Sequence, residues 1–416
     1  IQFLNIAGLG PIFGAIMGAK FGTASFLWIV LGSIFAGATH DALAGMLSLR
    51  HHGESLPELI GRYLGNNFKQ FMRGFTVLLM VLVGAVFVAG PAGLLATLTP
   101  GYLDVTFWII VVFLYYILAT LLPVDKIIGK VYPLFAIALL FMAVGILAML
   151  FIHQPPLPEI TDGLSNTHPD GLPIFPIMFV SIACGAISGF HATQSPLMAR
   201  CMKSEKYARP VFYGAMITEG IVALIWAAAA TYFFHNNGME ETNAAVVVDS
   251  ITKEWLGAVG GILAILGVIA APITSGDTAF RSARLIVADF LHLEQKTIAK
   301  RLMICIPMFI VAIAILLYSQ KDKDGFDMIW RYFAWSNQTL AVFTLWALTV
   351  YLVQAKKLYW ITLIPALFMT TVCSTYIFVA PEGLGLSVGI SQCAGIAVTI
   401  LVLALFLIWK RKISLL

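Results

Sequence analysis

The chain has 416 residues, of which 60% are hydrophobic and 11% are charged, and its formal net charge is +4. Soluble domains carry roughly 25% charged residues. Apolar runs recur from end to end, each long enough to cross a hydrocarbon layer of about 30 Å, which excludes a soluble globular protein. The five cysteines form no C-x-x-C pair, so we predict neither a disulfide framework nor a metal cluster.

Twelve apolar segments are predicted to be transmembrane helices, which makes the fold class that of an all-α integral membrane protein. In chain order they cover residues 1–18, 22–49, 71–97, 103–122, 131–152, 173–199, 210–234, 255–288, 302–318, 328–353, 358–379 and 386–409. The first begins at Ile1, inside an apolar stretch and without a Met. We therefore expect the natural protein to begin earlier and part of the first helix to be missing.

The basic residues indicate how the segments are oriented. Twenty of the 25 Lys and Arg residues lie in the loops that follow even-numbered segments or in the C-terminal tail. Basic loops stay in the cytoplasm because moving positive charge across the membrane is unfavourable. The pattern therefore predicts that the even-numbered loops and the C-terminus are cytoplasmic.

Two segments contain residues that interrupt a helix. The first holds Gly8, Gly10, Pro11 and Gly14, and the sixth holds Gly185, Gly189 and Pro196 among several polar residues. Backbone groups freed in lipid cost several kcal/mol unless something binds them, so broken helices are typical of cavities that hold a solute or an ion. An alternative is that Gly and Pro, which are common in membrane helices, serve only packing.

The spacing of the two breaks predicts an internal repeat. They lie five helices apart, and because five is odd the second half is inverted relative to the first. We predict a five-plus-five inverted repeat, with residues 1–152 and 173–353 as its halves and residues 354–416 as two additional helices.

The polar residues near the breaks are candidates for substrate binding. The predicted set is Ala7, Gly8, Gly10, Ser188, Gly189, His191, Thr193 and Asn337. His191 is also a candidate for titration, because an unperturbed histidine has a pKa of about 6.5; the alternative is a neutral histidine bound to a carbonyl group. Asn337 lies in the tenth segment, where it equally suits a hydrogen bond to a neighbouring helix.

The eighth segment contains the candidates for a coupling ion, which are Thr274, Ser275, Asp277 and Thr278. Their oxygens, with carbonyls from the first break, suit Na⁺, whereas a desolvated Asp277 suits a proton. The alternative is a structural ion pair between Asp277 and Arg281, which are spaced i, i+4. For His40, Asp41 and Glu219 we favour structural hydrogen bonding over a part in transport.

No motif for catalysis or for ATP binding occurs in the sequence. It lacks G-x-S-x-G, H-E-x-x-H and a phosphate-binding P-loop. We therefore predict that the protein is not an enzyme and uses no cofactor. Without a P-loop, an ion gradient remains as the source of energy.

Six motifs resemble the carbon starvation protein A (CstA) family over essentially the whole chain. They are residues 6–14 (IAGLGPIFG), 37–41 (GATHD), 188–192 (SGFHA), 213–220 (YGAMITEG), 274–285 (TSGDTAFRSARL) and 336–340 (SNQTL). The resemblance implies the amino acid–polyamine–organocation superfamily with the leucine-transporter fold, a place in the bacterial cytoplasmic (inner) membrane, and proton-driven import of peptides or pyruvate. The chain is shorter than the long members of that family.

Together these features predict a secondary active transporter in the lipid bilayer, a proton symporter for peptides or pyruvate that works by alternating access. We expect no nucleic-acid partner. A monocarboxylate suits the partial positive charge of half-helix N-termini, whereas a peptide also needs an anionic partner for its amino group. Two alternatives stay open: a Na⁺-coupled symporter of the same solutes, and a membrane sensor that transports nothing.

Overall fold

The computed structural model describes residues 2–121, 125–238, 243–321 and 325–414, and within these ranges it contains no β-strand. Its α-helices, in chain order, are α1 (Gln2–Ile6), α2 (Ala15–Ala19), α3 (Thr23–Leu31), α4 (Ala38–Arg50), α5 (Leu56–Leu64), α6 (Asn66–Leu98), α7 (Val105–Leu121), α8 (Asp125–His153), α9 (Phe179–Ile182), α10 (Gly189–Cys201), α11 (Gly214–Asn237), α12 (Ala244–Phe290), α13 (Ile298–Ser319), α14 (Gly325–Gln354), α15 (Trp360–Val379) and α16 (Val388–Ser414). Short π-helical turns at Gly10–Gly14, Gly32–Gly37 and Arg209–Tyr213 lead into α2, α4 and α11. The first predicted segment starts at residue 1 and the fourth ends at residue 122, and both positions lie outside the described residues.

Ten helical stretches of the described chain are long and apolar enough to cross a membrane. They are Thr23–Arg50, Asn66–Leu98, Leu134–His153, Ile174–Cys201, Glu205–Asn237, Gly260–Phe290, Ile298–Ser319, Gly325–Gln354, Trp360–Val379 and Val388–Ile413. Two shorter apolar helices, Gly10–Ala19 and Val105–Ala119, fall in the first and fourth predicted segments. The prediction of an all-helical, multi-pass membrane protein is confirmed, and ten of the twelve predicted spans have the required length.

The helices divide into an interior group and a peripheral group. Most of α6, α10, α12 and α14 is buried, whereas α8, α13 and α16 present much of their surface outward. Val144, Ile310 and Ile400, one on each peripheral helix, are 64%, 61% and 62% exposed. Such side chains are at no disadvantage against lipid tails, which are equally apolar. The interior group positions the candidate site.

The first helix break is present where the sequence predicts it. Helix α1 ends at Ile6, and the backbone is not helical again until the π-helical turn that begins at Gly10. Pro11 follows directly, and because it has no N–H and its ring crowds the preceding turn, the α-helical hydrogen bonding cannot continue through this point. The chain then resumes as α2.

The second helix break follows α9. That helix ends at Ile182, and Ala183 has a φ of +47°, in the left-handed region that non-glycine residues rarely adopt. A short 3₁₀ turn and an extended Ser188 follow before α10 begins at Gly189. The sixth segment is therefore two half-helices joined by irregular backbone.

Glycines let the two breaks contact each other. A Cβ atom on Gly10 would lie 2.3 Å from Cβ of Cys184, and one on Gly14 would lie 2.4 Å from the carbonyl oxygen of Ile182. Both distances are far shorter than a van der Waals contact, so these positions accept no side chain. The first and sixth segments therefore meet backbone to backbone, with each break facing the other.

Outside the candidate spans, the short helix α5 is held to α6 by a charged group. The carboxylate of Glu58 pairs with Lys69 and with Arg73, the latter at 2.5 Å. Partial burial acts to raise the pKa of Glu58, but the hydrogen bonds and positive charges of its two partners outweigh it and hold this pKa below the usual 4.5. The pairs fix how α5 covers the start of α6.

Glu58→Gln is expected to lower the free energy of unfolding by about 1 kcal/mol at pH 7, the upper end for partly exposed pairs. Because the folded-state pKa is lowered, this contribution exists above pH 4.5 and is lost as the pH falls through the folded-state value. Thermal unfolding of the detergent-purified protein at pH 7 and pH 3 measures both effects. Glu294→Gln, at a side chain 67% exposed, is the control. A penalty that is equal at the two pH values contradicts the assignment.

Candidate functional site

The first break is enclosed by an aromatic side chain and by the second break. Ala7 is fully buried, and Gly8 lies against the ring of Phe87, where an added Cβ would be 2.4 Å from Cζ. Gly10 faces Cys184 in the same way. The three predicted substrate contacts of this segment therefore lie together at the centre of the protein and are closed to solvent in this conformation.

Asn337 holds the second break against α14. Its side-chain oxygen accepts hydrogen bonds from the Ser188 hydroxyl at 3.1 Å and from the backbone N–H of Phe190 at 2.7 Å. The neighbouring Gln338 donates its amide to the carbonyl oxygen of Ile187 at 2.9 Å. Asn337 thus takes up one of the unpaired N–H groups at the start of α10. The sequence left two roles open for Asn337, substrate binding and a hydrogen bond to a neighbouring helix. In this conformation Asn337 makes the hydrogen bond between helices.

Gly189 and Thr193, the other predicted contacts on α10, have different surroundings. A Cβ on Gly189 would lie 2.5 Å from both the backbone N of Ala341 and the carbonyl oxygen of Asn337. The Thr193 hydroxyl donates to the carbonyl oxygen of Phe190 at 2.6 Å, and this residue also lines a cavity of about 30 Å³. The start of α10 therefore packs directly on the backbone of α14.

The predicted coupling-ion residues lie on α12, next to the first break. The two threonine hydroxyls of this group, Thr274 and Thr278, donate to carbonyl groups of their own helix. The Ser275 hydroxyl donates to the carbonyl oxygen of Leu4 on α1 at 3.0 Å. Asp277 pairs with Arg281 at 3.2 Å, as their i, i+4 spacing allows. Hydroxyl and carbonyl oxygens of two helices thus converge just before the first break.

Three helices bring together four ionisable side chains, which we call the buried cluster: His40 and Asp41 on α4, His191 on α10 and Glu219 on α11. The two carboxylate oxygens of Asp41 bond to Nδ1 of His40 at 2.8 Å and to Nδ1 of His191 at 2.7 Å. Nε2 of His191 lies 3.3 Å from Oε2 of Glu219. No member is more than 1% exposed.

The hydrogen positions in the buried cluster depend on the charge of Asp41. An ionised Asp41 can only accept, so both imidazoles carry hydrogen on Nδ1. His191 is then left with Nε2 directed at Glu219. The two groups are close, but their angles do not meet those of a hydrogen bond. Accordingly, Nε2 and both Glu219 oxygens have no hydrogen-bond partner in the described structure.

Sequence reasoning noted each member of the buried cluster but did not join them. Asp41 and His191 are 150 residues apart in the chain, and no spacing rule links side chains on different helices. The signal available was that four ionisable groups stand within apolar segments, where each is costly and needs a partner. The structure shows that they are partners of one another.

A cavity of about 350 Å³ lies on another side of the first break and is called the Phe13 cavity here. It is lined by Phe13, Gly90, Asn243, Gln320, Lys321 and Phe326, among others. A series of rings in contact leads from this lining to Phe87. The centroids of Phe13 and Trp330 are 6.2 Å apart, those of Trp330 and Phe333 are 5.4 Å apart, and those of Phe333 and Phe87 are 6.1 Å apart. Aromatic side chains thus connect the lining of the cavity to Phe87, the ring that lies against Gly8.

The side chains do not form a metal site in the part of the chain that the structure describes. No group of three or more His, Cys, Asp or Glu residues there is arranged to hold a metal ion. In the buried cluster, Asp41 stands between the two imidazoles with both oxygens already bonded. This donor set suits proton binding and hydrogen bonding.

Comparisons with known proteins agree over most of the chain. The family model described as carbon starvation protein CstA matches residues 1–101, 94–253 and 238–376. An "uncharacterized membrane protein" of Haemophilus influenzae is 43% identical over 57% of this chain and 77% of its own length. The protein named peptide transporter CstA in Bacillus subtilis is 27% identical over 93% of this chain and 83% of its own length. The pyruvate/proton symporter BtsT of Escherichia coli is 26% identical over 55% of this chain and 41% of its own length.

A solved structure shares the fold. A crystal structure of a mutant Eremococcus coleocola manganese transporter has a TM-score of 0.65 to this chain and covers 99% of it, with 93% of that protein matched. The sequences are only 15% identical, so the similarity concerns the fold alone. The family model extends from residue 1 to residue 376, and the chain therefore belongs to the carbon starvation protein CstA family.

Proposed function

We propose that this protein is a secondary active transporter that imports a small organic solute, a peptide or pyruvate, by alternating access and proton symport. The observation that carries the proposal is the contact of two helix breaks at the centre of the protein, beside a buried cluster of ionisable side chains. Relatives named as a peptide transporter and as a pyruvate/proton symporter support this solute class. Transport of this kind requires no cofactor.

The proposed architecture is a five-plus-five inverted repeat of the leucine-transporter type with two additional helices. Residues 1–152 and 173–353 are its halves, and residues 354–416 form the additional pair. Support comes from the breaks in the first and sixth segments, and from the packing of α15 and α16 on each other. The basic loops support a cytoplasmic C-terminus in the inner membrane.

The proposed substrate site is the space that opens between the two breaks. Its residues are Ala7, Gly8, Gly10, Ser188, Gly189, His191, Thr193 and Asn337. All of them are buried here, which suits an occluded conformation of an alternating-access cycle. Opening requires Phe87 to leave Gly8 and the start of α10 to part from α14, which frees backbone N–H groups for an anionic solute.

The Phe13 cavity is the proposed route from one side of the membrane. Lys321 at its rim is positively charged, and Asn243 and Gln320 add amide groups. A cation at the mouth of a cleft raises the local concentration of anions. This lining favours pyruvate, or the carboxylate end of a peptide, as the group that enters first.

The α12 oxygens are the proposed site for a coupling cation if that cation is Na⁺. Thr274, Ser275 and Thr278 supply hydroxyl groups, and the bond from Ser275 to Leu4 brings a carbonyl group of the first segment beside them. Asp277 adds a carboxylate. Hard oxygen ligands of this kind suit alkali and alkaline-earth cations.

Uptake into proteoliposomes tests the proposal. Labelled pyruvate and a labelled dipeptide are each offered under an imposed pH gradient and, separately, under a Na⁺ gradient. We expect concentrative uptake of one solute with the pH gradient, abolished by a protonophore. Uptake with the Na⁺ gradient alone selects the Na⁺-coupled alternative. No uptake in any combination, from folded protein, contradicts transport of these solutes and favours a membrane sensor.

A further inference from the structure

The imidazole of His191 stands between two buried carboxylates. Asp41 binds its Nδ1 at 2.7 Å, and Glu219 lies 3.3 Å from its Nε2. His191 and Glu219 have no exposed surface, and Asp41 is 1% exposed. The three side chains come from α4, α10 and α11, so their contacts join three separate helices.

The charge of this arrangement depends on one proton. The two oxygens of Asp41 lie 2.8 and 2.7 Å from the Nδ1 atoms of His40 and His191, and the ionised carboxylate is the form in which both oxygens accept from these rings. If no proton lies between His191 Nε2 and Glu219, the Glu219 carboxylate is ionised as well. It then faces the lone pair of a neutral imidazole ring. Two buried negative charges without a cation are highly unfavourable. One proton at this contact replaces the repulsion by a hydrogen bond, whichever of the two atoms holds it.

Other charged groups on the surrounding helices are engaged elsewhere. Lys20, directly after α2, lies 5.5 Å above the ring of Phe234. Phe234 follows Glu219 by fifteen residues, or about 22 Å of helix. Arg200 on α10 binds the carbonyl oxygen of Gly53, and it follows His191 by nine residues, or about 13 Å.

Further groups complete the surroundings. Arg209 precedes Glu219 by ten residues, or about 15 Å of helix. On α4, Arg50 pairs with Glu205 at 3.8 Å. On α12, Asp277 pairs with Arg281, Lys253 pairs with Asp249, and Arg284 lies close to Cys305 and Arg301. On α14, Arg331 bonds to Glu382 at 3.2 Å.

The remaining neighbours bring few charges. The described side chains of α8 between residues 134 and 152, and α6 between residues 74 and 98, contain no ionisable group. Helices α1 and α3 have none either, and on α5 Arg62 and Glu58 are both paired. The thiol of Cys184 also faces His191. Among the described residues, only His191 and Asp41 act on Glu219 through their charge, so a proton is the cation that can balance the second carboxylate.

We propose that the coupling proton binds between His191 Nε2 and Glu219, with Asp41 and His40 orienting the ring from its other side. This inference rests on the proposed proton symport and deepens it. The proton enters from the side of lower pH, holds α10 to α11 while the cluster is buried, and leaves when these helices separate on the other side. Asp277 has a permanent cation in Arg281 and does not require a proton.

The position of His191 links the proton to the substrate site. His191 lies on the first turn of α10, two residues after Gly189 and one after Phe190, whose N–H is held by Asn337. A movement of the His191 ring therefore moves the half-helix that begins at the second break. Loss of the proton separates α10 from α11 and α14 together, which gives a physical reason for coupled movement of proton and solute.

Glu219→Gln tests the proposal, because the amide keeps the shape of the side chain and can still donate to His191. In proteoliposomes we expect pH-gradient-driven accumulation to fall to an inside-to-outside ratio of 1, while exchange of labelled for unlabelled solute stays within about threefold of wild type. Glu219→Asp should restore part of the accumulation. Glu294→Gln, on the exposed side chain used above, should leave both activities unchanged.

Two outcomes overturn the proposal. Accumulation by Glu219→Gln at the wild-type level shows that the proton binds elsewhere, and loss of exchange together with accumulation in folded protein places Glu219 in the solute path instead. Thermal unfolding at pH 6 and pH 9 tests the proton without transport. The midpoint of the wild type should fall by a few degrees more than that of Glu219→Gln, because raising the pH removes the proton. Equal falls contradict the proposal, whereas absence of wild-type uptake contradicts only the proposed function.

Discussion

His191→Ala is expected to abolish transport and to lower the free energy of unfolding by about 3–5 kcal/mol, the usual effect of breaking a buried charged pair. The change removes the ring that separates Asp41 from Glu219 and leaves both carboxylates buried. It also empties the space that the ring fills. Solute exchange in proteoliposomes and thermal unfolding in detergent measure the two effects.

A double variant separates charge from lost packing. Because Glu219→Gln neutralises one of the two carboxylates, His191→Ala with Glu219→Gln should be more stable than His191→Ala alone by about 1–2 kcal/mol, within the range of coupling between contacting residues. His235→Ala, at an exposed position near the end of α11, is the control and should match wild type. If the double variant is no more stable than the single one, the effect of His191 comes from packing and not from charge.

Gly189→Ala is expected to lower the free energy of unfolding by about 1–3 kcal/mol, the usual range for added atoms in a packed interior, and to stop transport. The new Cβ would lie 2.5 Å from the backbone N of Ala341. Backbone atoms cannot change rotamer to relieve this overlap, so α10 has to move away from α14. That movement breaks the bond from Phe190 to Asn337. Thermal unfolding and solute exchange measure the result.

Gly74→Ala provides the matched control for this glycine. Gly74 lies inside α6, and an added Cβ there would meet nothing within 4 Å. Alanine favours a helix over glycine by about 0.5–1 kcal/mol, so this variant should be as stable as wild type or slightly more stable. Wild-type transport by Gly189→Ala would show that the start of α10 has room to shift, and it would contradict the close contact with α14.

Several features could be predicted from the sequence because they follow from local chemistry. Apolar runs of membrane length determine the helices, since backbone groups in lipid must be satisfied within the helix. Ten of the twelve predicted spans have that length, and the two shorter ones lie where predicted. The breaks were predictable from local chemistry too, because Pro11 has no N–H to donate and the glycines near it weaken an α-helix. Six motifs in order indicated the family.

Contacts between distant parts of the chain were decided by the tertiary structure alone. The bond between Asp41 and His191 spans 150 residues, and the bond of Asn337 to Phe190 spans 147. Each depends on how whole helices pack, which the spacing of residues along one helix does not specify. The sequence identified each ionisable residue as costly in the membrane. Only the packing of α4, α10 and α11 made them one cluster, because the rotation of each helix about its axis determines which side chains face each other.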